Sequence, residues 1–154
     1  MAQQGDMQQR GESSAHSPGA SAAAVAEAAA DGRYDVLVVE DDPEINQLVG
    51  AYAELAGFRY RAALTGSAAL AEVRRQPPQV IVLDLMLPDI DGLEICRRVR
   101  KEFSTGTVPV IILTALESDQ TRRSGIECGA QEYLTKPFDP ELLMSTIARY
   151  ATKR

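Results

Sequence analysis

The chain has 154 residues, 45% of them hydrophobic and 25% charged, which suits one domain of ordinary size. Its net charge of −6 gives no electrostatic reason to bind nucleic acid or an anionic membrane surface. The sequence has no apolar run near the roughly 18 residues of a transmembrane helix, and its N-terminus lacks the basic start and apolar core of a secretory signal.

The few histidines and cysteines exclude several kinds of catalytic and metal site. The single histidine, His16, lies in the leading segment, so a histidine-based metal site, a Ser-His triad or a phosphohistidine relay is excluded from the rest of the chain. Cys96 and Cys128 stand far apart with no C-x-x-C motif. This pattern favours two reduced thiols packed on helices and a cytoplasmic location.

The first 33 residues differ in composition from the rest. Residues 1–33 are rich in Gln, Ser, Gly and Ala and contain almost nothing large to bury. We therefore expect a disordered N-terminal tail, in which the alanine-rich stretch Ser21–Ala30 favours a transient helix. Residues 34–154 are predicted to form one folded domain.

Strand and helix patterns alternate from Tyr34 onward. Short apolar runs predict strands at Val36–Val39, Phe58–Ala63, Val80–Leu83, Val108–Leu113 and Glu132–Thr135. Apolar residues at helical spacing predict helices from Pro43 to the residue before Gly57, and over Thr65–Arg75, Leu93–Phe103, Ser118–Cys128 and Pro140–Ala151. Asp42-Pro43 and Asp139-Pro140 are each typical of a helix cap followed by proline at the first helical position.

This alternation predicts an α/β fold. Right-handed crossovers between successive strands produce a doubly wound parallel sheet covered by helices on both faces. Five strands suit the flavodoxin-like order 2-1-3-4-5. In such folds, ligands bind beyond the carboxyl ends of the strands, where the strand order reverses, here between strands 1 and 3.

Polar residues follow four of the five predicted strands at that edge. They are Glu40, Asp41 and Asp42 after strand 1, Asp84 after strand 3, Thr114 after strand 4 and Lys136 after strand 5. Carboxylates this close together repel one another and should raise one another's pKa. A hard divalent cation relieves the repulsion, and Mg2+ prefers such oxygen ligands together with several waters.

In the stretch VIVLDLMLPDIDG, Asp84 directly follows a predicted strand that is apolar throughout. A charge at the end of a buried strand is costly unless it is paired or coordinated. No serine or cysteine nucleophile with an adjacent base is evident, but a carboxylate can itself be a nucleophile, as in aspartyl-phosphate chemistry. With a metal, Lys136 and Thr114 around it, Asp84 is predicted to accept a phosphoryl group.

Structural roles explain the other acids better than metal binding does. Asp42 is assigned as the cap of the first helix rather than as a ligand. Asp89 and Asp91 are assigned to a turn and a cap before Gly92.

The chain from about Asp35 to Ala151 closely resembles the receiver domain of two-component response regulators, the CheY-like family. The motifs that carry the resemblance are VLVVEDD, VIVLDLMLPDIDG, VPVIILTA and YLTKPF, in this order. The resemblance implies that Asp84 is the phosphoacceptor and that Mg2+ binds to Asp41, to Asp84 and to the backbone carbonyl of Met86, with Glu40 acting through water. It also implies a switch pair, Thr114 and Tyr133, a phosphoryl contact from Lys136, and a cis bond before Pro137.

The resemblance implies a Mg2+-dependent switch phosphorylated on Asp84 by a partner histidine kinase or phosphotransfer protein. Such a chain catalyses only its own phosphorylation and slow dephosphorylation, and its product is a changed surface on helix 4, strand 5 and helix 5. We expect a stand-alone receiver with a downstream protein target, no direct nucleic-acid or membrane contact, and a phosphorylation-dependent dimer as a further use of that face.

Three alternatives remain open at this point. The chain could be the receiver part of a longer transcriptional regulator, although Arg149 is the only arginine of the last predicted helix before the terminal Lys153-Arg154. A flavodoxin-like electron carrier would need a Ser/Thr/Gly-rich phosphate loop after strand 1, where three acids stand. An aspartate-nucleophile phosphatase would need D-x-D after the first strand, which Glu40-Asp41-Asp42 is not.

Overall fold

The computed structural model describes residues 33–102 and 108–152, which contain five strands and five helices. The strands are β1 (Val36–Val39), β2 (Tyr60–Ala63), β3 (Val80–Leu83), β4 (Val110–Thr114) and β5 (Glu132–Thr135). The helices are α1 (Pro43–Leu55), α2 (Gly66–Arg75), α3 (Gly92–Glu102), α4 (Asp119–Glu127) and α5 (Pro140–Tyr150). None of the helices in these ranges is long and apolar enough to cross a membrane.

The strands form one parallel sheet in the order β2-β1-β3-β4-β5, which confirms the predicted flavodoxin-like order 2-1-3-4-5. Within it, Val39 of β1 lies opposite Leu83 of β3. The two strands therefore end at the same level, and the residues that follow them, Glu40 and Asp84, emerge side by side at the strand-order reversal.

Every residue of β1, β3 and β4 is buried, because helices cover both faces of the sheet. Leu37 and Val39 pack on one side with residues of α2 and α3, whereas Val36 and Val38 pack on the other side with residues of α1 and α5. Alternate residues of a strand point to opposite faces. Burial on both faces thus explains why these strands are continuous apolar runs.

Several predicted boundaries shift by one or two residues. The β2 strand begins at Tyr60 rather than Phe58, because the Phe58 N–H is used to close α1 on the Ala53 carbonyl at 3.0 Å. The β4 strand runs from Val110 to Thr114 rather than from Val108 to Leu113, so Thr114 is its last residue and not the residue after it. The α3 helix starts at Gly92 and is described to Glu102.

Other sequence predictions fall outside the described residues. These are Phe103 as the end of the third helix and the disordered tail, of which only Arg33 is described, as an exposed residue. The extent of the tail and of the folded domain therefore stays a prediction.

The acidic residues assigned to caps behave as helix caps. The Asp42 carboxylate accepts the N–H groups of Glu44 at 2.9 Å and Ile45 at 3.4 Å, and the Asp91 carboxylate accepts the Leu93 N–H at 3.0 Å. Both therefore stabilise helix N-termini with their side chains.

Asp89 does more than form a local turn. Its carboxylate accepts the Gly66 N–H at 2.8 Å, the Ser67 N–H at 2.9 Å and the Ser67 hydroxyl at 2.6 Å. It therefore caps α2 from the loop after β3, which the assignment to a turn did not anticipate.

Candidate functional site

Three carboxylates meet at the carboxyl ends of β1 and β3. Glu40, Asp41 and Asp84 each place an oxygen within 4.8 Å of the others. Glu40 and Asp84 are only 5% and 6% exposed, while Asp41 is exposed to solvent. The acids converge as the strand order predicts, and the structure adds that two of them are buried in the sheet edge and one lies at its rim.

Lys136 supplies the positive charge in this cluster. It follows β5, and its backbone N–H donates to the Thr114 carbonyl at 2.9 Å. The ammonium Nζ bonds to Asp84 Oδ2 at 2.8 Å and also to Glu40 Oε1. One cation therefore serves both buried carboxylates, and the Lys136–Pro137 peptide bond that follows is cis.

The pKa values of the two buried acids shift in opposite directions, so the expectation that the carboxylates raise one another's pKa holds for Glu40 and is wrong for Asp84. Burial raises the pKa of Glu40 above its ordinary value, and the Asp84 charge adds a smaller increase. Burial acts in the same direction on Asp84, but the hydrogen bonds from Lys136, from the Met86 N–H and from Thr114, with the charge of Lys136, together lower its pKa below the ordinary value. Asp84 is therefore held ionised, the state that a carboxylate nucleophile requires.

The loop after Asp84 is shaped by two close contacts. The Met86 N–H donates to Asp84 Oδ1 at 3.1 Å, which fixes the carboxylate against the loop backbone. A Cβ atom at Gly92 would lie 2.5 Å from the Leu85 Cα and 2.8 Å from the Asp84 carbonyl oxygen. Glycine at position 92 thus allows the start of α3 to lie directly against the Asp84 and Leu85 backbone at the end of β3.

Thr114 and Tyr133 lie on the neighbouring strands β4 and β5. Thr114 is fully buried, and its Oγ1 accepts the Leu116 N–H at 3.4 Å. The Tyr133 ring is buried beneath Arg122 of α4, whose guanidinium carbon lies 4.6 Å from the ring centroid, and its hydroxyl donates to the Leu116 carbonyl at 2.6 Å. Both predicted switch residues therefore bond to the backbone of the loop that follows β4.

Asn46, a buried residue in the first turn of α1, was not among the residues predicted for the site. The two hydrogens on its Nδ2 are shared among the backbone carbonyls of Val38, Glu40 and Ala63. The sequence did offer one indication of its role: Asn46 is an amide at a position of the first helix where the pattern expects an apolar, inward-facing residue. The acceptors could not be foreseen, because Ala63 is 17 positions away on another strand.

The donor set fits a hard divalent cation. Glu40, Asp41 and Asp84 offer carboxylate oxygens, which Mg2+ prefers over nitrogen and sulfur ligands. The other acids near this edge, Asp42 and Asp89, already accept backbone N–H groups at helix starts. Asp42 and Asp89 are therefore engaged as caps, whereas Glu40, Asp41 and Asp84 are the candidate ligands.

Comparison with known proteins agrees with this geometry. Residues 36–148 match the response regulator receiver domain. The DNA-binding dual master transcriptional regulator RpaA of Synechocystis sp. is 40% identical over 112 residues, which cover 73% of this chain and 46% of that protein. The transcriptional regulatory protein TrcR of Mycobacterium tuberculosis is 42% identical over 112 residues, which cover 73% of this chain and 43% of that protein.

A solved structure shares the whole architecture. A putative response regulator from Chloroflexus aurantiacus aligns with a TM-score of 0.71 and 33% sequence identity, covering 77% of this chain and 97% of that one. The chain belongs to the response regulator receiver domain family of two-component signalling systems. It spans less than half the length of the curated relatives described above.

Proposed function

We propose that this receiver is switched by transfer of a phosphoryl group to Asp84. The observation that carries the proposal is the position of the Asp84 carboxylate: it bonds to the Lys136 ammonium at 2.8 Å and has an oxygen within 4.8 Å of the Glu40 and Asp41 oxygens. This arrangement combines a nucleophile, a cation for the transferred charge and a set of oxygen ligands for a metal.

Receiver domains interact with histidine kinases or phosphotransfer proteins, and we infer that such a partner is the phosphoryl donor here. An Asp84 carboxylate oxygen attacks the phosphorus, the new O–P bond forms, and the P–N bond to the partner's imidazole breaks. Lys136 then pairs with a phosphoryl oxygen, because its Nζ already lies against the carboxylate that becomes phosphorylated. The chain's own chemistry ends with the slow hydrolysis of this acyl phosphate.

Receiver domains generally bind Mg2+ at an acidic site. In this chain Asp41, Asp84 and the Met86 carbonyl would hold the ion, with Glu40 acting through water, and the bound ion would neutralise charge on the phosphoryl oxygens. Asp42 is assigned no part in this, because its carboxylate caps α1.

The output surface is proposed to be α4, β5 and α5. The supporting contacts are those of Thr114 and Tyr133, which both bond to Leu116 in the loop that leads to α4. Movement of Thr114 toward a phosphoryl oxygen would release the Leu116 N–H and change the site that holds the Tyr133 hydroxyl. This is a population shift between two arrangements of one loop, the kind of element that receivers use.

The partner that this surface binds depends on the whole protein and not on the receiver domain alone. The stand-alone role stays a prediction, and the two curated relatives are named as transcriptional regulators, one of them DNA-binding. These names weaken the expectation that nucleic acid takes no part in the output. Family membership gives no support to an electron carrier or a phosphatase.

Acetyl phosphate labelling tests the proposal. With Mg2+ present, the intact mass should rise by one phosphoryl group in the wild type and remain unchanged in Asp84→Asn, because an amide is a poor nucleophile of similar shape. Asp42→Asn is the matched control, since asparagine also caps helices and labelling should persist. Equal labelling of Asp84→Asn and the wild type would contradict the assignment.

A further inference from the structure

Asn46 connects the ends of two strands beneath the acidic cluster. It is 1% exposed, and its Nδ2 lies 3.0 Å from the carbonyl oxygens of Val38 and Glu40 and 3.3 Å from that of Ala63. Val38 and Ala63 lie in β1 and β2, and Glu40 is the first residue past β1. A single side-chain amide therefore joins both strand ends and the start of the acidic loop.

The Glu40 contact determines the direction of the chain into Asp41. The Glu40 carbonyl belongs to the peptide group that continues into Asp41, and its oxygen accepts from Asn46. The Glu40 N–H is also fixed, since it donates to the Ala63 carbonyl at 3.1 Å. Because Asp41 is exposed, the backbone on either side of it holds its carboxylate in place: this peptide before it, and the Asp42 N–H after it, which donates to Glu40 Oε2 at 3.0 Å.

The carbonyl oxygen of the Asn46 side chain, Oδ1, lies in an energetically unfavourable position. Within the described residues, Oδ1 is buried and has no hydrogen-bond partner. Turning the amide over would place Oδ1 against three carbonyl oxygens, so the observed orientation is the one its surroundings require. A buried acceptor without a partner is unfavourable, and it persists where the donating half meets a need that an apolar residue cannot.

We propose that Asn46 is a positioning residue of the Mg2+ site. Its amide fixes the Glu40–Asp41 peptide so that the Asp41 carboxylate reaches the same cation as Asp84, while Asn46 itself contacts neither the cation nor the phosphoryl group. This inference rests on the proposed function, because it assigns Asn46 a role at the site where phosphoryl transfer is proposed. Residues that hold metal ligands in place in this way affect metal affinity strongly.

Mg2+ titration of two buried-polar variants tests the inference. Asn46→Ala should weaken Mg2+ binding by about tenfold, the lower end of the range for residues behind metal ligands. Thr146→Val is the matched control, since Thr146 is also buried and bonds a backbone carbonyl, that of Leu142 at 2.6 Å, but lies within α5. Both variants should unfold at lower temperature, and Thr146→Val should keep the wild-type affinity.

Asn46→Asp separates positioning from charge. The two side chains have the same shape, but the carboxylate cannot donate to the three carbonyls and adds a negative charge near the site. Loss of the donor predicts weaker Mg2+ binding, whereas a purely electrostatic influence predicts tighter binding. Tighter binding in Asn46→Asp, or unchanged affinity in Asn46→Ala, would overturn the inference.

A measurement on the wild type keeps the test independent of whether these variants fold. The Asn46 side-chain amide protons should exchange with solvent far more slowly than those of Gln47, its partly exposed neighbour. Exchange as fast as that of Gln47 would show that the amide is not held and would overturn the inference. Absence of Mg2+ binding to the wild type would instead contradict the proposed function.

Discussion

Thr114 and Tyr133 bond to the same residue, Leu116, from two adjacent strands. Thr114 Oγ1 accepts the Leu116 N–H at 3.4 Å, and the Tyr133 hydroxyl donates to the Leu116 carbonyl at 2.6 Å. The threonine contact is long, near the limit of a hydrogen bond, whereas the tyrosine contact is short. The weaker of the two bonds therefore lies on the side of the proposed phosphoryl site.

Replacement of Thr114 tests whether this shared residue carries the switch. Thr114→Ala should still be phosphorylated but should lose the coupling to α4 and β5. The reason is that no hydroxyl remains to leave the Leu116 N–H and bond to a phosphoryl oxygen. Hydrogen exchange in α4 and β5, with and without beryllofluoride as a phosphoryl mimic, measures the coupling. Thr135→Ala, which lies opposite Thr114 on β5, is the control and should respond like the wild type. An unchanged response in Thr114→Ala would mean that another contact carries the signal.

The division between ligands and caps predicts opposite effects of two adjacent substitutions. Asp41→Ala should weaken Mg2+ binding far more than Asp42→Ala, whose carboxylate is engaged at the start of α1. Asp42→Ala should instead lower the free energy of unfolding by about 1 kcal/mol through loss of the cap. Mg2+ titration and urea unfolding of both variants measure the two effects. Equal losses of affinity would show that the ligand assignment is wrong.

Lys136 should influence the rate of phosphorylation more than its extent. Lys136→Met keeps the apolar stem but removes the charge that pairs with Asp84, so labelling by acetyl phosphate should slow by about a hundredfold, as for loss of a group that stabilises developing charge. Lys101→Met, a change of an exposed lysine on α3, should leave the rate unchanged. A wild-type rate in Lys136→Met would exclude this role.

The Asp89 cap predicts a specific dependence of stability on pH. Hydrogen bonds from Ser67 and from the Gly66 N–H hold the pKa of Asp89 well below its ordinary value. A carboxyl whose pKa is lower in the folded state stabilises the fold above its unfolded pKa of about 3.9, and that contribution is lost as the pH falls through the folded pKa. Asp89→Ala should therefore be less stable than the wild type by a constant amount at neutral pH.

Urea unfolding from pH 7 to pH 3 measures this difference. The gap between Asp89→Ala and the wild type should stay level down to about pH 5 and begin to close below about pH 4. Ser67→Ala, which removes one of the donors to Asp89, should show a smaller gap with the same trend. A gap that widens as the pH falls would contradict the capping role.

Much of the fold follows from sequence because the sheet is buried on both faces. The runs Val36–Val39 and Val80–Leu83 are apolar at every position, so their lengths and their parallel pairing could be predicted. The convergence of Glu40, Asp41 and Asp84 then followed from strand order alone. The boundary of β4 could not be fixed, because Thr114 is a polar residue that the sheet nevertheless buries completely.

Strand order predicts that Lys136 lies at the same sheet edge as Asp84, but the individual side-chain bonds between distant segments could not be predicted from sequence. Asp89 caps a helix that begins 23 positions earlier, and Lys136 bonds to Glu40, 96 positions away, as well as to Asp84. Local patterns cannot specify such pairs, since many acids could serve either partner. The lowered pKa of Asp84 was also unforeseen for this reason, because it depends on several bonds, that from Lys136 first among them, which together outweigh the effect of burial.

The most direct test of the account is the location of the phosphoryl group. Wild-type protein treated with acetyl phosphate and Mg2+ can be reduced with borohydride, which converts an aspartyl phosphate to homoserine at the modified position. Peptide mass mapping should find homoserine at position 84, and only in samples treated with both acetyl phosphate and borohydride. Homoserine at another acidic residue such as Asp41, or no modification at all, would contradict the assignment of Asp84 as the phosphoacceptor.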